Sequence, residues 1–178
     1  MTDLAPTLET ERLRLRGFRA DDLDTQAAML GDPEVMRYVG GKPNTREEAW
    51  RRMLAAPGMW ALLGYGYWAV ERKEDGAFLG QAGFGDFKRD LEPSIEGVPE
   101  AGWMFAVHAH GRGYATEAVA ATLRWGDDRL RGHSFAAIID FANAPSIRLA
   151  EKMGFSERQE AVYHDETILL FRRPARLG

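Results

Sequence analysis

The amino-acid sequence predicts a single α/β domain built on a mixed sheet. Strand-like and helix-like segments follow one another in the order strand, two helices, three strands, helix, strand, helix, two strands. That order amounts to about seven strands flanked by about four helices. The chain has 178 residues, enough for one domain of ordinary size. Since no repeat, low-complexity segment or linker divides it, we expect one domain over residues 1–178.

The first part of the chain predicts one strand and two helices. Residues 12–18 alternate charged and apolar side chains, the pattern of a half-exposed strand. Residues 20–22 supply the acidic start of a first helix. Thr45 is placed to cap a second helix, which we expect to run to about Ala55 and to end at Pro57.

The middle of the chain predicts a hairpin followed by a polar loop. Residues 67–70 and 78–84 are apolar segments joined through Asp75 and Gly76, a good hairpin signal. Glycines within the second segment weaken it as a strand, or mark a bulge or a close backbone approach. Residues 86–100 are rich in acids and predict a solvated loop, with the alternative that these carboxylates face a cationic amine.

The second half predicts a central strand at Trp103–Val107, a glycine turn and an amphipathic helix, then two further strand and helix segments. Residues 135–139 form a continuous apolar run that suits a buried strand. A helix then begins near Pro145 and ends at Gly154. Residues 157–171 read as a closing hairpin.

The glycine turn predicts a binding site for an anion. Gly111 and Gly113 flank Arg112 immediately before the helix, so backbone N–H groups at the helix start can turn outward. Such a turn favours phosphate or pyrophosphate. No P-loop run exists in the chain, and Thr116 mismatches the dinucleotide fingerprint. A coenzyme A pyrophosphate loop and a plain turn between strand and helix both remain open on these residues.

The segment HAHGRGYATEA, residues 108–118, resembles the acyl-CoA loop of the GNAT N-acetyltransferase superfamily. Within it, Gly-x-Gly-Tyr-Ala-Thr-Glu-Ala is similar to the RimJ/RimL-like branch of ribosomal-protein N-terminal acetyltransferases. Residues 8–16, 143–146 and 152–155 match that branch as well. The resemblance spans almost the whole chain and implies the GNAT fold, a mixed and mostly antiparallel central sheet.

The resemblance implies an acyl-CoA-dependent N-acyltransferase. It would transfer acetyl from acetyl-CoA to a primary amine, either a protein N-terminus or a small-molecule amine, by direct attack in a ternary complex. The backbone near Phe105 or Ala106 would stabilise the oxyanion. The coenzyme-binding residues implied are Phe105, Ala106, Val107, His108, Gly111, Arg112, Gly113, Tyr114, Ala115, Thr116, Asn143 and Ser146.

The candidates for proton transfer are fewer. Glu100, at the start of the central strand, is the candidate general base, the alternative being a surface glutamate. Many relatives place a tyrosine acid where this chain has Ala150, so Ser146 and Tyr163 are the substitute candidates.

Two histidines near the turn raise the possibility of a metal. His108 stands where the family has Gln or Arg, and with His110 it forms a His-x-His pair. Spacing suggests no third ligand for this pair, so we expect no metal.

Composition excludes several classes of function. A net charge of −4 argues against a nucleic-acid partner, and the absence of cysteine excludes disulfides and thiolate chemistry. We expect no membrane segment, a cytoplasmic location, and a monomer or homodimer. Two other functions remain as alternatives: a non-catalytic acyl-CoA-binding or sensing module, and an NAD(P)-dependent oxidoreductase.

Overall fold

The computed structural model describes residues 4–175, and these form nine strands and five helices. The strands are β1 (Leu8–Glu9), β2 (Leu13–Arg16), β3 (Tyr67–Arg72), β4 (Phe78–Gly85), β5 (Leu91–Glu92), β6 (Glu100–Phe105), β7 (Phe135–Ile139), β8 (Glu157–Tyr163) and β9 (Glu166–Arg173). The helices are α1 (Leu23–Leu30), α2 (Pro33–Met36), α3 (Arg46–Leu63), α4 (Tyr114–Arg129) and α5 (Ala144–Lys152).

The strands follow the order β1-β2-β3-β4-β6-β7-β9-β8-β5. β1, β2, β3 and β4 pair antiparallel in succession, as do β7 with β9, β9 with β8 and β8 with β5. β6 pairs parallel with β7. The predicted mixed α/β sheet is therefore confirmed, with nine strands instead of about seven. The two strands the sequence missed, β1 and β5, contain two residues each, too few to show an alternating pattern.

The described residues fall into two compact units. The first contains the residues up to Gly83 together with Trp103–Ala121, and the second contains Phe84–Gly102 and the residues from Thr122 onward. β4 and β6 each contribute residues to both units.

In the first unit, apolar residues of α1, α2 and α3 pack with residues of β3 and β4. Their core consists of Met29, Leu30, Val35, Met36, Ala49, Ala69, Phe78 and Ala106. Two glycines of β4 lie against neighbouring backbone. A Cβ on Gly80 would stand 2.2 Å from the carbonyl oxygen of Met104, and one on Gly83 would stand 2.3 Å from that of Gly66. Of the alternatives for these glycines, close backbone approach is confirmed. A bulge is confirmed beside Gly80, since the pairing of β3 with β4 shifts register between Val70 and Glu71.

The prediction that the second helix, α3, ends at Pro57 is wrong. Thr45 caps the helix as expected, with its hydroxyl accepting from the N–H of Glu48, but the helix continues through Pro57 to Leu63. Trp60, in the added turn, is buried and donates its indole N–H to the carbonyl of Tyr67 over 3.1 Å. Packing of this turn therefore outweighs the helix-breaking tendency of Pro57.

In the second unit, the prediction that residues 86–100 form a solvated loop is wrong. They contain β5, which pairs with β8, and Leu91 and Ile95 join a buried cluster with Ala136 and Leu170. Their apolar residues are too sparse to predict burial from the sequence. The segment is ordered by pairing with a strand distant in the chain, which a local pattern does not reveal.

Candidate active site

The central strand ends two residues earlier than expected before the chain enters the glycine turn, within the first unit. β6 ends at Phe105 instead of Val107, and Val107–Ala109 form a single 3-10 turn. The N–H of Ala106 donates to the carbonyl of Leu79 over 2.9 Å. A ring nitrogen of His110 lies 2.9 Å from the carbonyl oxygen of Phe105 and ties this turn to the strand end.

The turn itself has the geometry that a ligand-binding loop requires. Gly111, Arg112 and Gly113 are exposed, and both glycines have positive φ, +70° and +77°. A Cβ at Gly111 would meet no other atom within 4 Å, so glycine is needed there for its backbone conformation and not for lack of space. The turn opens the 16-residue helix α4, whose first N–H groups lack partners within the helix and carry partial positive charge.

The N-terminal segment holds this turn in place. The Arg12 guanidinium donates from Nε to Oε2 of Glu117 over 2.7 Å and from Nη1 to the carbonyl of Arg112 over 3.0 Å. The Arg12 backbone N–H and the Thr10 hydroxyl both donate to Oε1 of Glu117, over 2.8 and 2.6 Å. Burial raises the pKa of Glu117, but the hydrogen bonds from Thr10 and Arg12 outweigh this, so its pKa lies below the ordinary value.

Sequence reasoning missed the roles of Arg12 and Glu117. The signal was present, because residues 8–16 and the segment containing Glu117 are both parts of the family resemblance. Nothing in either segment predicts that Arg12, just before β2, forms an ion pair with a residue of α4 about a hundred positions away, because the fold creates this contact.

Tyr114 gathers three arginines beside the turn. The Arg12 guanidinium lies 4.6 Å from the centre of the Tyr114 ring. Arg72, more than Arg112, favours the ionised form of Tyr114 and lowers the pKa of its hydroxyl. Arg72 also binds Asp75 and thereby lowers the pKa of that carboxyl to about 2. Three arginines thus lie near the first turn of α4, two of them paired with the carboxylates of Glu117 and Asp75.

In the second unit, the candidate base Glu100 is joined to Tyr163 through Arg89. The Glu100 side chain is 6% exposed, and the Arg89 guanidinium donates to both its oxygens, over 2.7 and 2.8 Å. Arg89 also donates to the Tyr163 hydroxyl over 3.0 Å and lies 4.7 Å from the centre of the Phe87 ring. Glu100 is therefore not the exposed surface glutamate of the alternative interpretation.

Asn143 and Ser146 meet at the start of α5, also in the second unit. The side-chain oxygen of Asn143 accepts the N–H of Ser146 over 3.2 Å and caps the helix. Ala150, at the position of the usual tyrosine, is completely buried. The structure gives Asn143 a structural task, and its contact with coenzyme stays a prediction.

Residues 4–175 contain neither a candidate metal cluster nor a candidate membrane-spanning helix. They contain no group of three or more His, Asp or Glu side chains that could hold a metal ion. No helix among them is long and apolar enough to cross a membrane.

This chain belongs to the GNAT acetyltransferases. The family profile of the acetyltransferase (GNAT) domain matches residues 12–156. The uncharacterized protein YkkB of Bacillus subtilis (strain 168) is 36% identical over 174 residues, covering 94% of this chain and 91% of YkkB. The uncharacterized N-acetyltransferase p20 of Bacillus licheniformis is 29% identical, covering 85% of this chain and 83% of its own length. An acetyltransferase structure from Agrobacterium tumefaciens is 27% identical, with a TM-score of 0.79 and 94% of each chain covered.

More distant structures share the fold alone. Spermidine N-acetyltransferase from Vibrio cholerae, in complex with CoA and spermine, is 15% identical with a TM-score of 0.71, covering 93% of this chain and 97% of its own. RimL, a ribosomal alpha-N-protein acetyltransferase in complex with coenzyme A, is 11% identical with a TM-score of 0.71 and coverage of 95% and 98%. The fold and the family together define this chain as an N-acetyltransferase.

Proposed function

We propose that this enzyme transfers acetyl from acetyl-CoA to a primary amine while both substrates are bound. The observation that carries the proposal is the exposed turn at Gly111–Gly113, at the N-terminus of α4. A thioester is already activated toward amines, so positioning and charge stabilisation suffice, and a chain without cysteine is chemically adequate. Titration with coenzyme A tests this assignment.

The turn supplies the contacts that a diphosphate needs. Outward N–H groups at the helix start and the Arg112 side chain provide donors and positive charge. The neighbouring residues Val107, His108, Ala115 and Thr116 are proposed to complete the coenzyme surface of this segment. Asn143 and Ser146 are proposed to bind its pantetheine arm.

Of the two candidate oxyanion donors, Phe105 and Ala106, we propose Phe105. The N–H of Ala106 is already bonded to the carbonyl of Leu79. Successive N–H groups of an extended strand point to opposite edges, so that of Phe105 points away from β4. We therefore assign the donation to the thioester oxygen to Phe105.

Glu100 and Tyr163 are proposed as the general base and general acid. Glu100 would accept the proton of the attacking amine directly or through water. The Tyr163 oxygen accepts from Arg89, which leaves the phenolic hydrogen available for the departing thiolate. Ser146 remains the second candidate acid.

The acceptor is proposed from the branch resemblance. The residues Gly111–Ala118 support a RimJ/RimL-like enzyme acting on a protein N-terminus, whereas a small-molecule amine is the other acceptor class. We further propose a cytoplasmic monomer or homodimer with no metal and no nucleic-acid or membrane partner.

An amine panel with acetyl-CoA, read by release of free thiol, tests the reaction. Steady release with peptide N-termini or with polyamines identifies the acceptor class, and coenzyme binding without turnover on any amine would contradict the proposal in favour of a sensing module.

A matched pair of variants tests the turn itself. Gly111→Val should abolish coenzyme binding. Gly132→Val, at an exposed glycine with φ +83° and equal free space, imposes the same backbone strain elsewhere and should preserve binding. Unchanged affinity in the Gly111 variant would refute the coenzyme assignment.

A further inference from the structure

The side chain of Arg12 contacts the turn in a way that the coenzyme assignment does not explain. Its Nη1 donates to the carbonyl oxygen of Arg112, in the peptide that joins Arg112 to the positive-φ residue Gly113. Its Nε is held by Glu117, and its guanidinium lies over the Tyr114 ring. Three different groups therefore fix the direction in which Arg12 presents Nη1.

A bond to the Arg112 carbonyl also determines where the next N–H points. The peptide unit is planar and trans, so the carbonyl oxygen of Arg112 and the N–H of Gly113 point in opposite directions. Rotation of this unit changes ψ of Arg112 and φ of Gly113, and Gly113 allows positive and negative φ alike. Without an external partner for the carbonyl, the unit can flip.

We propose that Arg12 is a positioning residue for coenzyme binding. By holding the Arg112 carbonyl inward it keeps the N–H of Gly113 outward, toward the diphosphate. This inference rests on the proposed function of the turn. Arg12 acts through the backbone, with its Nε bonded to Glu117 and its Nη1 bonded to the carbonyl of Arg112.

Lysine cannot replace arginine in this role. A guanidinium presents several N–H donors in a fixed plane, so one side chain can bind Glu117 and the Arg112 carbonyl together. An ammonium keeps the charge but concentrates its donors on one nitrogen. Retained charge without retained geometry therefore separates positioning from simple electrostatic attraction of the coenzyme.

The chain supplies a close control in Arg14. Both arginines lie in the N-terminal segment and are similarly exposed, with side-chain fractions of 42% for Arg12 and 44% for Arg14. Each pairs with a glutamate through Nε, at 2.7 and 2.8 Å. The partners of Arg14 are Glu9 and Glu71, neither of which belongs to the turn.

The experiment is calorimetric titration of the full chain with coenzyme A and with 3′-dephospho-coenzyme A. Arg12→Ala and Arg12→Lys should each weaken both ligands about tenfold, the loss expected for one hydrogen bond to a charged group. Arg14→Ala should change neither affinity by more than about twofold. Far-UV circular dichroism and urea midpoints establish whether each variant is folded. If Arg12→Ala does not fold, Arg12→Lys alone tests the inference.

Three outcomes overturn the inference. If Arg12→Lys binds like wild type, charge alone is sufficient. If Arg12→Ala weakens coenzyme A but not the dephospho form, Arg12 contacts the 3′-phosphate directly. If Arg12→Ala binds normally while Gly111→Val does not bind, the turn holds coenzyme without help from Arg12. Normal binding by both variants would instead remove the proposed function of the turn.

Discussion

Arg89 and Glu100 form a bidentate ion pair in which each carboxylate oxygen accepts from a different guanidinium nitrogen. The same guanidinium binds the hydroxyl of Tyr163. The proposed base and the proposed acid thus share one cation, so their positions are set together. The Glu100 side chain is 6% exposed and that of Arg89 is 22% exposed, so Glu100 depends on Arg89 to balance its charge away from solvent.

Removing Arg89 should destabilise the protein strongly. Arg89→Ala leaves a buried carboxylate without its partner, and we expect the free energy of unfolding to fall by about 3 kcal/mol. The double variant Arg89→Met with Glu100→Leu removes both charges and should recover most of that loss. Urea unfolding of the two variants measures the difference. A loss below about 1 kcal/mol in the single variant would show that Glu100 does not depend on Arg89.

Replacing Glu100 should affect turnover and not coenzyme binding. Glu100→Gln keeps the size of the side chain but cannot accept a proton, so kcat should fall and the acidic limb of the pH–rate profile should change. Coenzyme affinity should stay within about twofold, because Glu100 is not part of the turn. An acidic limb identical to that of wild type would dismiss Glu100 as the base and leave only its structural pairing with Arg89.

Two helical glycines should respond oppositely to alanine. A Cβ on Gly126 of α4 would lie 2.8 Å from Cζ of Phe84 and 2.9 Å from Cζ of Phe135, so Gly126→Ala should cost about 1–3 kcal/mol through overpacking. Gly58 of α3 has no atom within 4 Å of its would-be Cβ. Gly58→Ala should therefore stabilise by about 0.5–1 kcal/mol. Thermal unfolding compares them, and a shift of the same sign in both would contradict the packing described around Gly126.

The ion pair at Glu117 should make stability depend on pH in a defined window. The pKa of Glu117 is lowered in the folded chain from its ordinary value of 4.5, so the folded state favours the charged carboxylate. Its contribution is complete above that ordinary value and disappears as the pH falls through the lowered pKa. Glu117→Gln should therefore be less stable than wild type near neutrality, and the gap should narrow below about pH 4.5.

Urea midpoints between neutral and acidic pH measure this gap for Glu117→Gln. Glu151→Gln, a substitution of the same kind at an exposed position of α5, corrects for the effect of the change itself. A gap that stays constant from neutral to acidic pH would mean that the hydrogen bonds to Glu117 do not favour its charged form.

The sequence predicted those features that short segments encode. The glycine turn before α4, the cap at Thr45 and the hairpins depend on residues close together, and the structure contains all of them. It did not predict the pairing of Arg12 with Glu117 or of Arg89 with Glu100, since these contacts follow from strand order and not from any local pattern. The same reason explains why residues 86–100 resembled a solvated loop. The catalytic residues remain predictions.

Pro57 predicts a helix end that the structure does not contain, and substitutions there test whether α3 continues past it. Proline lacks the N–H that would bond to the carbonyl of Met53, yet α3 continues for six residues beyond it. Pro57→Ala should restore that bond, and we expect a gain of about 2 kcal/mol after the greater freedom of the unfolded chain is subtracted. Pro57→Gly should gain about 1 kcal/mol less, because glycine is the poorer helix former. Chemical unfolding of both variants tests whether position 57 lies within the helix or at its end. A difference near 1 kcal/mol is expected within a helix, whereas equal stabilities would place Pro57 at a helix end.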